Sequence, residues 1–202
     1  MFDAKLLPLQ RRLIRPLAGR LHARGVGADS ITLAGFALGL LGVLAAAYGL
    51  FWLALAGLVA NRLADGLDGE VARLAGPTDR GAFLDIALDF LFYALFPLGF
   101  AIADPGANAL PAVVLVASFV GTGSSFLAFS IIAERRGITS EDDPSKGIFY
   151  LGGLTEGAET IGLFVLICLL PGLFPVLALV FAAACFVTTL TRWLAGWRLF
   201  GA

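Results

Sequence analysis

Apolar and polar positions along this chain alternate on a coarse scale, in long apolar runs separated by short polar breaks. Six apolar stretches can be marked, at about residues 31–49, 51–73, 82–103, 110–133, 148–170 and 174–197. Each is close to the ~20 residues that a helix needs to cross ~30 Å of hydrocarbon. The breaks carry residues that end helices: Gly76-Pro77 and Gly81, Asp104-Pro105-Gly106, the polar loop from Glu134 to Gly147, and Pro171-Gly172. The pattern predicts an all-α, polytopic membrane protein with six transmembrane helices.

Ahead of these stretches, Lys5, Arg11, Arg12, Arg15, Arg20 and Arg24 interleave with Leu6, Leu7, Leu13, Ile14, Leu17 and Leu21. This spacing predicts an amphipathic helix in the bilayer interface, kinked at Pro16; a basic solvated tail is the alternative. No uninterrupted apolar core of the kind found in a cleavable signal peptide lies near Met1. The expected division is a juxtamembrane helix over 1–27 and a six-helix domain over 28–202.

Composition agrees with the pattern. Hydrophobic residues make up 59% of the 202, and mean hydropathy is +0.90. Charged residues are 14%, against ~25% in soluble domains, which excludes an ordinary soluble globule. The net charge of −1 says little, but its placement is informative. With a cytoplasmic N-terminus, the turns near residues 50, 104–109 and 171–173 face outward and contain no Lys or Arg. All 14 basic residues then fall on the inner half, which predicts cytoplasmic N- and C-termini. Cys168 and Cys185 sit in apolar runs without metal-ligand spacing and read as core residues; His22 reads as a surface residue. No nucleic-acid partner is expected.

Four aspartates break the apolar pattern: Asp65 and Asp68 near the inner end of the second stretch, Asp85 and Asp89 near the inner start of the third. An ionised carboxylate inside a membrane helix costs about 2.5–3.5 kcal/mol on insertion scales, so four within 25 residues call for a compensating cation. Spacings i, i+3 and i, i+4 put each pair on one helix face. A short inner turn makes the two helices antiparallel neighbours, so the pairs are expected to form a carboxylate box beneath the cytoplasmic surface. Carboxylates are hard ligands suited to Mg²⁺ or Mn²⁺. Two such ions would neutralise the four charges and could clamp a pyrophosphate-containing substrate. Gly66 and Gly69 leave room beside the box for a ligand, or else for close helix packing. Arg73 is placed to grip a phosphate oxygen, or to snorkel to the headgroups.

The series Asp65, Asp68, Gly69, Ala72, Arg73, then Gly81, Asp85 and Asp89, resembles the signature of the CDP-alcohol phosphatidyltransferases. Seven residues separate Arg73 from Gly81 where that family usually has eight or more; the shortening falls in the turn. The six-helix layout and N-terminal helix are also similar to that family, so the resemblance covers most of the chain. It implies attack of an acceptor hydroxyl on the β-phosphorus of a CDP-linked lipid, usually CDP-diacylglycerol, with loss of CMP. It further implies that Asp65, Asp68, Asp85 and Asp89 hold two Mg²⁺ or Mn²⁺ ions, with Asp89 also the base. By the same resemblance Gly69 and Arg73 contact the CDP-lipid, and Thr78 binds the nucleotide. Asp29-Ser30-Ile31-Thr32 resembles the nucleotide-contacting entry segment; helix capping is its alternative. Homodimers, common in the family, are expected here too.

A second polar group, Thr155, Glu156, Glu159 and Thr160, falls in the fifth stretch, after Lys146 and Tyr150. With Arg192 it reads as an acceptor-binding region (Lys146, Glu156, Glu159, Arg192), or as an interhelical link pairing a glutamate with Arg62 or Arg192. Small residues recur at Gly35/Gly39, Gly153/Gly157 and Ala117/Gly121/Ser125, a spacing that permits close helix approach. An ion or proton transporter using these acids as a relay is the competing function. Its site would be expected near the midplane, whereas these aspartates lie toward one face.

Overall fold

The computed structural model describes residues 14–138 and 154–201. Seven α-helices follow one another there: α1 (14–23), α2 (Ala28–Ala47), α3 (Phe51–Ala75), α4 (Asp79–Ala103), α5 (Pro105–Arg135), α6 (Gly157–Leu169) and α7 (Phe174–Phe200). A single 3-10 turn, Pro171–Leu173, leads into α7. The described residues contain no strand, in keeping with the all-α expectation.

The breaks act as their residues dictate. After α2 the chain turns on Gly49, whose φ of +74° suits a residue without Cβ. Its N–H donates to the Ala46 carbonyl at 2.9 Å, and the Leu50 N–H donates to the Ala45 carbonyl at 2.8 Å, closing the helix end. Gly76, at φ +95°, ends α3, and Pro77 prevents the helix from continuing. Thr78 then caps α4, its hydroxyl accepting from the Gly81 N–H at 3.1 Å. This three-residue turn makes α3 and α4 consecutive helices, which is what brings the aspartates together.

The expected six spans are only partly met. α2, α4, α5 and the Pro171–Phe200 segment are long and apolar enough to cross a membrane. α3 has the length, 25 residues, but carries Arg62, Asp65, Asp68, Glu70 and Arg73. α6 has 13 residues, too few for 30 Å at 1.5 Å per residue. The fifth apolar stretch had been expected from residue 148; helix begins only at Gly157, and residues 139–153 lie outside the described part. Residues 1–13, the first half of the expected amphipathic helix, lie outside it as well. The described remainder, α1, is helical and tucks Ala18 into a buried cluster with Ile31, Ala64 and Val71.

Packing is set by small residues. α2 lies along α3, with α4 against both α2 and α5, α7 against α5, and α6 against α3 and α7. A methyl added to Gly57 would lie 2.6 Å from Gly42 Cα, and one on Gly35 would collide with Ala64. Gly39 meets Phe92 of α4 at 2.9 Å by the same test, and Gly121 meets Thr189 of α7 at 3.0 Å. The Gly35/Gly39 and Gly121 positions thus serve contacts within the chain. Phe92, Phe96, Phe100, Phe164 and Phe174 are fully buried and form the core. Phe96 stacks on Phe164 at 4.7 Å and Phe100 on Phe174 at 5.1 Å, which locks α4 to α6 and α7. Cys168 and Cys185 are buried free thiols, and His22 is exposed, as expected.

Candidate active site

α3 and α4 both pack against α2, and this brings Asp65, Asp68, Asp85 and Asp89 to the lining of one cavity, closed from the α2 side by Thr32 and Gly35. The i, i+3 pair on α3 and the i, i+4 pair on α4 face each other, as their spacing required. Three of the four carboxylates are already engaged. Asp68, nearly buried, accepts a hydrogen bond from the Thr32 hydroxyl at 2.6 Å. Asp89 is gripped by Arg62: Nη2 donates to Oδ1 at 2.6 Å and Nη1 to Oδ2 at 3.4 Å. Arg62 Nη1 also lies 3.7 Å from Asp65. Among the described residues, no three His, Cys, Asp or Glu side chains are gathered closely enough to hold a metal ion as they stand. The lining nevertheless suits a hard divalent cation. It offers carboxylate, hydroxyl and amide oxygens, and neither His nor Cys.

A larger cavity of about 430 Å³ shares Thr32, Asp68 and Asp85 with the acidic one. Asp29, Ser30, Gly69, Arg73, Thr78 and Gly81 also line it. Gly69 leaves this space open, since a Cβ there would meet only the Arg73 guanidinium, at 3.6 Å. Arg73 forms an ion pair with Glu70 at 2.5 Å on its own helix while its side chain borders the cavity. Thr78 both caps α4 and lines the cavity. Of the entry segment, Asp29, Ser30 and Thr32 reach the cavity; Ile31 instead packs with Ala18, Ala64 and Val71. The capping alternative for Asp29 and Ser30 does not hold, because α2 starts at Ala28 with Gly27 as its N-cap. Asp29 is paired across the mouth with Arg80, whose Nε donates to Oδ2 at 2.7 Å.

A third cavity, of about 130 Å³, lies where α4, α5, α6 and α7 meet, and Phe90, Tyr93, Phe126, Thr155, Glu156 and Arg192 help line it. Arg192 donates from Nη1 to the Thr122 carbonyl at 3.0 Å and lies over the Phe126 ring at 5.7 Å. Its Nε is buried and finds no hydrogen-bond partner among the described residues. Glu156 falls within the fifth apolar stretch but is the N-cap of α6, at the start of the helix and not within it. Glu159 folds back to accept from the Glu156 N–H at 3.0 Å, completing a capping box. Glu159 is thereby spent on the helix end and does not line the cavity. Lys146 lies outside the described residues. Of the two suggested partners for the glutamates, Arg62 belongs to Asp89 and Asp65 instead, while Arg192 shares a cavity with Glu156.

Sequence reasoning gave Arg62 no place in the aspartate site and passed over Asn61 and Arg80 altogether. Arg62 precedes Asp65 by three residues, and Asn61 precedes Asp65 by four. Helical spacing therefore put both on the aspartate face. Arg80 had no such signal, since its partner is 51 residues away.

The profile of a family described as CDP-alcohol phosphatidyltransferase matches residues 26–197. The chain is also 48% identical over 192 residues to the inner membrane protein YnjF of Escherichia coli (strain K12). That match covers 95% of this chain and 93% of the other. No solved structure matches the chain.

Proposed function

The chain belongs to the CDP-alcohol phosphatidyltransferase family, and on that premise we propose that it moves a phosphatidyl group from CDP-diacylglycerol to an acceptor alcohol, releasing CMP. The observation that carries this reading is the meeting of four aspartates, from two consecutive helices, at a cavity that shares Asp68 and Asp85 with a larger space. That space is of a size for a nucleotide: ligand sites run from about 300 to 1,000 Å³.

On this reading Asp65, Asp68, Asp85 and Asp89 hold two Mg²⁺ or Mn²⁺ ions. When bound, such ions neutralise the pyrophosphate and the charge that builds on the leaving CMP. The residues of the chain do the rest. Thr32 keeps Asp68 oriented through its hydroxyl. Gly69 leaves the approach to the phosphates clear, and Arg73 offers its guanidinium to a phosphate oxygen. Asp29, Ser30 and Thr78 border the nucleotide; Ile31 supports them from the core. Asp89 takes the acceptor's proton as the new oxygen–phosphorus bond forms and the bond from phosphorus to CMP breaks. Glu156 and Arg192 border the acceptor, Glu159 acts through the α6 cap, and Lys146, outside the described residues, is proposed to join them. The Arg192 guanidinium suits an acceptor that carries an anionic or strongly polar group.

The remaining parts of the proposal concern setting. The termini and the acidic cavity face the cytoplasm, following the placement of Lys and Arg. α3 and, together with the residues that flank it, α6 complete six crossings, with Asn61 and Asp68 of α3 turned to the protein interior. α1, the described part of the expected N-terminal helix, lies along the interface, and two copies of the chain form a homodimer. The test of function is release of CMP from CDP-diacylglycerol by purified protein with Mg²⁺ or Mn²⁺. The acceptors would be serine, glycerol 3-phosphate, inositol phosphate, inositol and choline in turn. One of them should give metal-dependent turnover; release with none of them, or release insensitive to chelation, would contradict the proposal.

A further inference from the structure

Arg62 is held more tightly than a residue that merely snorkels to a headgroup. Its side chain is 17% exposed. Its guanidinium donates twice to Asn61 Oδ1, from Nη2 at 2.6 Å and from Nε at 2.9 Å. It grips both oxygens of Asp89, lies 3.7 Å from Asp65, and sits over the rings of Phe92 and Tyr93 at 5.4 and 5.6 Å. A guanidinium does not shed its proton in proteins, so this is a permanent positive charge among four carboxylates. The open volume left between those acids is about 10 Å³, the room of about one water-sized sphere.

We propose that Arg62 is a tethered counter-cation that occupies Asp65 and Asp89 and must be displaced when divalent ions load, so that it sets the concentration at which they bind. The inference rests on the reading of the aspartates as an ion site. The physics is competition. A site whose binding-competent form is only a fraction of the population binds its ligand more weakly by that fraction. Asn61 raises the cost of displacement because it orients the guanidinium toward Asp89 through a second, independent pair of hydrogen bonds. The same neighbours offer the displaced side chain somewhere to go. The Tyr93 hydroxyl is already 3.5 Å from Nη1, and Tyr93 borders the Arg192 cavity. A released Arg62 therefore keeps an aromatic face and a hydroxyl partner instead of entering hydrocarbon.

The test is a Mn²⁺ titration of the purified full-length chain in detergent, reading free Mn²⁺ by electron paramagnetic resonance, with no substrate present. Arg62→Gln should bind Mn²⁺ about tenfold more tightly than the unmodified chain, if about nine in ten molecules hold the arginine in place. Arg62→Lys keeps the charge but loses the two-pronged grip, so it should shift affinity in the same direction by about threefold. It serves as the deciding variant if Arg62→Gln does not give monodisperse protein. Unchanged or weaker Mn²⁺ binding in the variant that folds overturns the inference. Asp65→Asn and Asp85→Asn distinguish the other failure. If they bind Mn²⁺ as well as the unmodified chain, the aspartates are not the ion site, and the reading beneath the inference falls with it.

Discussion

The acidic cavity and the Arg192 cavity adjoin each other through α4, yet the chain assembles them by different means. Asp89 lines the first, and its helix neighbours Phe90 and Tyr93 line the second. The acidic cavity draws its four aspartates from 25 consecutive residues on two helices joined by a three-residue turn. The Arg192 cavity gathers residues from α4, α5, α6 and α7, separated by as many as 102 positions between Phe90 and Arg192. The first needs helix geometry, one tight turn and the seating of α3 and α4 on a single helix, α2. The second depends on how four helices pack, through contacts such as Gly121 against Thr189 and Phe96 against Phe164. A mechanism that divides its labour between them, phosphate chemistry in one and acceptor choice in the other, gives each its own kinetic signature.

Removing divalent ions should have the largest effect. Chelation should abolish CMP release and added Mg²⁺ should restore it. Asp85→Asn or Asp89→Asn should lower kcat by about 10³ or more, since a step resting on preorganised charge loses about 10²–10³ with one group alone. A variant of either aspartate that keeps full turnover would remove the acidic cavity from the chemistry. Arg192→Ala comes next. With a charged acceptor it should raise the acceptor KM about 10- to 100-fold, the loss expected of a hydrogen bond to a charged group, and leave the KM for CDP-lipid unchanged. An equal rise in both KM values would show that the two cavities do not divide the work. Thr32→Val removes the hydroxyl that orients Asp68 and should reduce kcat/KM for the CDP-lipid about tenfold, again at the strength of a charged hydrogen bond. Thr78→Ala should be mildest. Its capping role is worth about 1 kcal/mol, so a slightly lower thermal midpoint in detergent is expected, with only a few-fold change for the CDP-lipid.

This difference in construction also explains what could be read from the chain in advance. Helical spacing alone put Asp65 with Asp68 and Asp85 with Asp89, and Gly76-Pro77 announced the turn that faces the pairs toward each other. Gly35 and Gly39 announced close packing, although the residues they meet, Ala64, Asn61 and Phe92, lie on helices whose registers spacing does not define. Where the outcome depended on tertiary packing, the reading was incomplete. Arg62 could be recognised as a polar residue in an apolar run, but its choice of Asp89 over Glu156 depends on how α3 and α4 are rotated on α2. Glu156 and Glu159 lie in an apolar stretch that hydropathy extends back to residue 148, whereas a capping box starts the helix at Gly157. α3 illustrates the limit of hydropathy itself. Its 25 residues have the length of a span, but Arg62, Asp65, Asp68, Glu70 and Arg73 make it too polar to read as one by composition.

A crystal soaked in Mn²⁺ and measured for anomalous scattering addresses the ion site without recourse to activity. Two peaks between α3 and α4, each touching carboxylate oxygens from both helices and with Arg62 withdrawn from Asp89, are the expected result. Peaks elsewhere, with Asp65, Asp68, Asp85 and Asp89 bound to no ion at saturating Mn²⁺, would contradict it.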